Sequence, residues 1–363
     1  PCHGFSMIGK RSLDDPRNAL VRHFMRLVAE LEADSFCFEN VKGLTVGAHR
    51  AFLDEIVEGF DAAGYAVVLP WKVLDASWYG VPQRRERFFL LGAKRGLALP
   101  SYPGRRTNAA KSRRPVDGLP FGPTVWDALS DLPDAELHPE LTLSDEAAAE
   151  FGKPSAYAAV LRGEADDPSD LSPRRPSAPG LLTSSARAEH TERTRSRFRA
   201  TTPGQVEPVS RFLRLDPDGV CNTLRAGTGR ERGAFTAARP IHPVHARCVT
   251  VREMARLHSY PDWFRFHRTK WHGARQIGNA VPPPLARAIA SEIVKALGVK
   301  PKRSKGCLSL GDPGLLYMEM SEAAEHFGVA PPPSKRDRKS GAKKRKQHEI
   351  EAARLRMKVV QGG

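Results

Sequence analysis

From Asp15 to Leu91 the apolar residues change period several times, and this alternation restricts the fold more than any other feature of the chain. Asp15-Pro16 is a helix start, a capping residue followed by proline in the first turn, and Leu20, Phe24, Leu27, Val28 and Leu31 then fall on one face of a helix ending near Asp34. Ser35 to Phe38 is a short apolar run of buried-strand type. A second helix spans about His49 to Ala63 and stops at Gly64, and Ala66 to Leu69 and Arg87 to Leu91 read as two further strands. Strand, helix, strand in alternation predicts an α/β protein with a mostly parallel, doubly wound sheet. Glu39 then falls at the carboxyl end of a strand, where open α/β sheets place their ligands.

The pattern breaks after Lys94. From there to about His245 the chain is rich in Pro, Gly, Ser and Arg, with a convincing short helix only at Thr124 to Leu132 and a turn and strand around Asp216-Pro217-Asp218-Gly219. Regular structure returns at Thr250, which forms a capping box with Glu253 and opens a helix carrying Arg252 and Arg256 on one face. After Pro282-Pro283-Pro284, Leu285, Ile289, Ile293 and Leu297 repeat at helical spacing. Beyond Gly298 lies a tail, with a short helix at Met320 to Phe327 and a basic run at Lys343-Lys344-Arg345-Lys346 that reads as solvated.

Charge narrows the partners. The 363 residues carry a formal net charge of +16, which calls for an anionic partner, and no apolar run approaches the length of a membrane span, so nucleic acid leads over membrane. The five cysteines, Cys2, Cys37, Cys221, Cys248 and Cys307, are odd in number and contain no C-x-x-C pair. They fit reduced thiols in a cytoplasm and give no zinc site.

Five short motifs carry the chemistry: Pro1-Cys2-His3-Gly4-Phe5-Ser6, Phe38-Glu39-Asn40-Val41, Gln83-Arg84-Arg85-Glu86-Arg87, Thr250-Val251-Arg252-Glu253 and Gly278-Asn279-Ala280-Val281. A lone cysteine is more often a small buried hydrophobe than a nucleophile. In this order, however, the motifs resemble the cytosine-5 DNA methyltransferase family, over roughly the first hundred residues and again from about Arg239 to Leu297. The resemblance implies a Rossmann-like methyltransferase sheet with an inserted target-recognition region, S-adenosylmethionine as methyl donor and double-stranded DNA as partner. It divides the chain into a catalytic part over 1–95, a recognition region over 96–245, closing helices over 246–298 and a flexible basic tail over 299–363. It also implies a bacterial, cytoplasmic restriction-modification enzyme.

Carbon 5 of cytosine is a poor nucleophile, so electrons must first be pushed into the ring. A Cys2 thiolate adding at carbon 6 would do so, and Glu39, with its pKa raised by burial, could give a proton to N3, with Asn40 fixing the loop that positions it. Gln83, Arg85 and Arg87 alternate and so share one side of a strand, while Arg84 and Glu86 on the other side suit structural ion pairs. By resemblance Arg87 goes to the base and Arg85 to a phosphate or to the loop between Phe5 and Asp15, which would close over a base flipped from the duplex. Ser6, Lys10, Arg11, Gln83, Thr223 and Arg252 would meet DNA, Thr223-Leu224 being a small signature of such recognition regions. The glycine-rich turn and ribose-binding acid of the donor site have no match in the chain, which begins without methionine inside a motif. An amino-terminally truncated fragment is therefore expected, with Pro1 and Asn279 as what remains of the cofactor site and a missing half supplied in cis or in trans. A non-catalytic DNA-binding protein and an RNA cytosine-5 methyltransferase are the competing readings.

Overall fold

The computed structural model describes residues 19–47, 49–227 and 239–330. In chain order its main elements are α1 (Ala19–Glu30), β1 (Ser35–Val41), α2 (His49–Ala62), β2 (Tyr65–Val67), β3 (Lys72–Asp75), β4 (Glu86–Lys94), α3 (Val125–Leu129), β5 (Ala147–Ala148), α4 (Ala156–Arg162), β6 (Leu181–Leu182), α5 (Glu192–Ala200), α6 (Val251–Leu257), α7 (Lys270–Asn279), α8 (Pro283–Ala296) and α9 (Met320–His326). They fall into two compact units. Among the described residues, the first takes those up to Pro123, Ser169–Leu171 and Val281–Arg303; the second takes Thr124–Pro168, those of Ser172–Ala280, and residues 304–330.

The first unit is built on β4. Its central residues are buried on both faces, so it can only be an interior strand, and it pairs with β1 along one edge and with β2 and β3 along the other. All three pairings are antiparallel, which corrects the expectation of a mostly parallel sheet. The strand-helix-strand pattern does predict that β1 and β2 run the same way, as they do, but it says nothing of adjacency, and β4 inserts between them. The strand expected at Ala66 to Leu69 is β2, ending at Val67. It resumes as β3 on the same edge, with Val67 opposite Gly92 and Lys72 opposite Phe89.

Helices cover both faces. On one side Phe36 and Phe38 of β1 and Phe88 and Leu90 of β4 pack with Val21 and Val28 of α1 and Leu53, Ile56 and Phe60 of α2. On the other, Phe89 and Leu91 pack with Leu285, Ala288 and Ile289 of α8. The face of α1 is only partly the one expected: Val28 is buried and Phe24 packs against the same core, joined by Val21, whereas Leu20, Leu27 and Leu31 are exposed. Phe36 and Phe60 stack with ring centroids 3.9 Å apart, and Gly92 directly opposite Phe36 makes room for them. A Cβ at Gly92 would lie 2.4 Å from Phe36 Cε1 and 2.7 Å from the Ala66 carbonyl oxygen.

The second unit contains the helix expected at Thr124, and Thr124 and Asp127 close a capping box. It also contains α6 and α7, which the sequence assigns to the catalytic part, and residues 304–330, which it assigns to a flexible tail. That stretch docks within the unit: Leu308 N donates to Arg174 O, and the Arg268 guanidinium lies over the Tyr317 ring. The capping box at Thr250 and Glu253 forms as expected, but every residue of α6 is buried. Its arginines are therefore interior groups that must be neutralised where they stand. Arg256 binds Asp131 at 3.0 Å and Asp262 at 2.6 Å, while Arg247, just before the helix, binds Glu253 at 2.8 Å and Asp134 at 3.1 Å. Burial opposes ionisation of Glu253, yet Arg247 and the amide of Thr250 hold its pKa down at about 2.

Two outcomes follow from this packing. Gly92→Ala should destabilise the first unit by about 1–3 kcal/mol, because one of its clashes is with backbone that cannot turn aside. A denaturation midpoint equal to that of the parent chain would contradict the close approach. Arg256→Met should cost about 3–5 kcal/mol by leaving Asp131 and Asp262 without their shared cation, and Arg256→Met with Asp131→Asn should recover part of it. Equal midpoints for the single and double variants would show that the pair is not coupled.

Candidate active site

The face of the first unit's sheet that packs against α8 also carries its chemistry. Side chains alternate along β1, so Phe36, Phe38 and Asn40 turn to the aromatic core and Cys37 and Glu39 to the opposite side. Glu39 lies opposite Phe89 in the ladder and Arg87 opposite Val41, which makes Glu39 and Arg87 diagonal neighbours on one face. Arg87 Nε stands 3.1 Å from Glu39 Oε1. Glu39 lies inside β1 rather than beyond it, since the strand runs on to Val41.

The electrostatics of this pair are mixed. Burial pushes the Glu39 carboxyl above its usual range, and the guanidinium groups of Arg87 and Arg85 offset part of the rise. About a third of the side chain, 32%, remains exposed, so the carboxyl can be reached from outside. The Cys37 thiol on the same face is pushed up to about 12, first by burial and then by the charge of Glu39, and stays protonated at neutral pH.

Gln83, Arg85 and Arg87 do turn to the interior while Arg84 and Glu86 are exposed, and Glu86 pairs with Lys42 at 2.9 Å. Only Arg87 belongs to β4, however. Gln83 and Arg85 lie in the extended segment before it and are fully buried, so neither side chain is presented at the surface. Asp75 at the end of β3 holds this segment, its Oδ1 accepting from Arg85 N at 3.1 Å and from Ser77 N at 3.0 Å. No motif marks Asp75, and the strand that carries it was not legible. Asn40 faces away from Glu39, and its Oδ1 accepts from Val41 N at 2.8 Å.

The other expected residues fall elsewhere. Pro1, Cys2, Ser6, Lys10 and Arg11 lie outside the described residues. Arg252 is not a DNA contact: it is buried in the second unit, with its guanidinium on Thr183 Oγ1 at 2.7 Å and the Phe264 carbonyl at 2.9 Å. Thr223 is half-buried in the same unit. Gly278, at the end of α7, lies so close to the segment after Thr223-Leu224 that a Cβ there would stand 2.3 Å from Ala226 N, so the two signatures meet. Asn279 is exposed at the last residue of α7, also in the second unit. Of the two residues expected at the S-adenosylmethionine site, Asn279 is the one among the described residues, and it stands exposed at a helix end where it can be reached by a ligand.

Comparison with known proteins bears on the same residues. The family model for C-5 cytosine-specific DNA methylase matches residues 1–295. The chain is 56% identical over 331 residues to the Type II methyltransferase M.XorII of Xanthomonas oryzae pv. oryzae, covering 91% of this chain and 74% of that protein. It is 32% identical to the Type II methyltransferase M.AgeI of Thalassovita gelatinovora, with 82% of each covered. A solved structure described as a candidate DNA modification methyltransferase encoded within a prophage (E. coli) superposes with a TM-score of 0.60 at 29% identity, covering 78% of this chain and 76% of that one. That likeness, together with the helix-covered sheet of the first unit, gives the chain a Rossmann-like methyltransferase fold. A family match that runs through both motif-bearing stretches, and through the strand pair that holds Glu39 against Arg87, makes this chain a member of the C-5 cytosine-specific DNA methylase family.

Proposed function

We propose that the chain is a Type II DNA methyltransferase that moves a methyl group to carbon 5 of a cytosine flipped out of duplex DNA, with Glu39 and Arg87 as its base-binding pair. The observation that carries this reading is the partly open carboxyl of Glu39, raised in pKa by burial and held 3.1 Å from Arg87. S-adenosylmethionine, the donor the family implies, supplies an electrophilic methyl group when bound.

The chain's own residues prepare the base. The Cys2 thiolate adds to carbon 6, forming a C–S bond as the C5–C6 π pair moves into the ring, and the Glu39 carboxyl passes its proton to N3 as charge builds there. Carbon 5 is then electron-rich. After methylation, loss of the carbon 5 proton to a base expels the thiolate, and Glu39 recovers its proton. Arg87 donates to the base oxygen and orients Glu39 at once, which a planar guanidinium can do through separate N–H groups. Arg85, buried and bound through its backbone to Asp75, suits support of the protein around the site better than a phosphate contact. Cys37 is ill suited to replace Cys2, because burial raises its thiol pKa. The unit containing Thr223 is assigned to reading DNA sequence, a role its inserted position favours.

Cys2→Ser should bind duplex DNA within a few-fold of the parent yet form no covalent adduct with a duplex containing 5-fluorocytosine. An adduct with the serine variant would remove Cys2 as nucleophile. Glu39→Gln should slow single turnover by about 10²–10⁴-fold, the range for a lost general acid. The sign of the pH effect is fixed by the role: a donor works protonated, so the Glu39 contribution is full at low pH and is lost as pH rises through its raised pKa. Arg87→Gln removes the cation that lowers this pKa and should move the alkaline limb to higher pH, whereas Glu39→Gln should abolish the limb. A limb that persists in Glu39→Gln belongs to another group.

A further inference from the structure

Beyond β4, residues 104–122 carry Arg105, Arg106, Lys111, Arg113 and Arg114 against a single acid, Asp117. Composition alone reads this stretch as a solvated insertion. Its backbone is instead tied down at its start. Arg106 N and Thr107 N both donate to the Trp78 carbonyl, at 2.9 and 3.0 Å, Thr107 Oγ1 donates to the Ser77 carbonyl at 2.9 Å, and Gly80 N donates to Thr107 Oγ1 at 3.0 Å. The Arg105 guanidinium lies over the Trp78 ring, 4.6 Å from its centroid.

Asn108 closes the loop on itself. This buried residue donates through Nδ2 to the carbonyls of Val116 and Leu119, both at 2.9 Å, accepts at Oδ1 from Val116 N at 2.8 Å, and pairs through its backbone with Pro120 and Gly122. Arg106, Arg113 and Arg114 stay exposed, with no acidic partner among the described residues. The same 77–80 turn is joined to the arginine segment, since Asp75 Oδ1 accepts from both Ser77 N and Arg85 N, and Ala76 N donates to Arg85 O at 3.0 Å. Ordering a loop is costly in conformational entropy, and like charges on it repel; a fixed scaffold that displays unpaired guanidiniums suits a polyanion.

We propose that the loop of residues 104–122 is a phosphate clamp of the catalytic unit, in which Arg106, Arg113 and Arg114 grip the DNA backbone and Asn108 is the positioning residue that keeps the loop closed. The clamp rests on the reading of this chain as a DNA methyltransferase and adds to it a sequence-independent grip outside the recognition unit. Phosphate contacts set affinity and its salt dependence, and carry no sequence information.

The test is fluorescence anisotropy of the full chain with a labelled duplex across a series of sodium chloride concentrations. Replacing Arg106, Arg113 and Arg114 by Gln together should weaken binding equally for unrelated duplexes and flatten the slope of log K against log salt by roughly 0.9 for each phosphate no longer neutralised. Asn108→Leu keeps every cation and should still weaken binding by opening the loop, with the thermal midpoint of the unit as the check that it folds. An unchanged slope in the triple variant overturns the clamp, as does a loss confined to duplexes of one sequence, which would mean base reading. Unchanged affinity in a folded Asn108→Leu overturns the positioning role. Duplex binding is read without turnover, so a parent chain that binds but does not methylate contradicts the proposed function and leaves the clamp standing.

Discussion

The ladder between β1 and β4 is the constraint on which the first unit depends. It is formed by two strands of opposite direction, and β4 is apolar on both faces, so it must be enclosed by helices on both sides. That enclosure fixes the register of β1, because slipping by one residue would carry Phe36 and Phe38 out of the aromatic core. With the register fixed, Glu39 and Arg87 have no choice but to meet as diagonal neighbours on the side opposite the aromatic core. The carboxyl is then shielded enough for burial to raise its pKa and close enough to a guanidinium for its position to be set. Packing of phenylalanines on one face thus places the Glu39 carboxyl on the other.

Charge is handled differently in the second unit. There the arginines of the Thr250 motif serve the interior, since Arg252 and Arg256 are held by oxygens of Thr183 and Asp131, remote in sequence, and of the nearby Asp262 and Phe264. A buried guanidinium left without such partners would be strongly destabilising, so each tie specifies where Asp131, Thr183 and Asp262 must sit. Among the described residues between Thr124 and Ala280, the connections between short helices are irregular and offer little regular secondary structure to organise them. A buried ionic framework around α6 supplies part of that order.

Much of the first unit was legible because periodicity and the motifs agree there: α2, β4, the inward turn of Gln83, Arg85 and Arg87, and the pairing of Glu86 away from them can all be read from spacing. What could not be read depends on contacts between segments remote in sequence. Alternation of strands and helices does not say that β4 inserts between β1 and β2, and Leu20, Leu27 and Leu31 are as apolar as the residues α1 buries. Arg252 looked like a ligand group because its helix carries charge, but burial is a tertiary property and overrode the residue type. The loop after β4 looked solvated for the same reason in reverse: Asn108 and Trp78 organise it through single side chains that leave no periodic trace.

The central claim is that Glu39 stands ready to deliver a proton to the base, and it can be tested on the acid itself. Carbon-13 NMR of the chain labelled at glutamate carboxyls, with Glu39→Gln to assign the resonance, follows its titration directly. The account predicts a midpoint clearly above that of the exposed glutamates of the same chain, rising further in Arg87→Gln. A midpoint at or below theirs would mean that Arg87 holds Glu39 as a permanent carboxylate, and that the proton reaching the base comes from elsewhere.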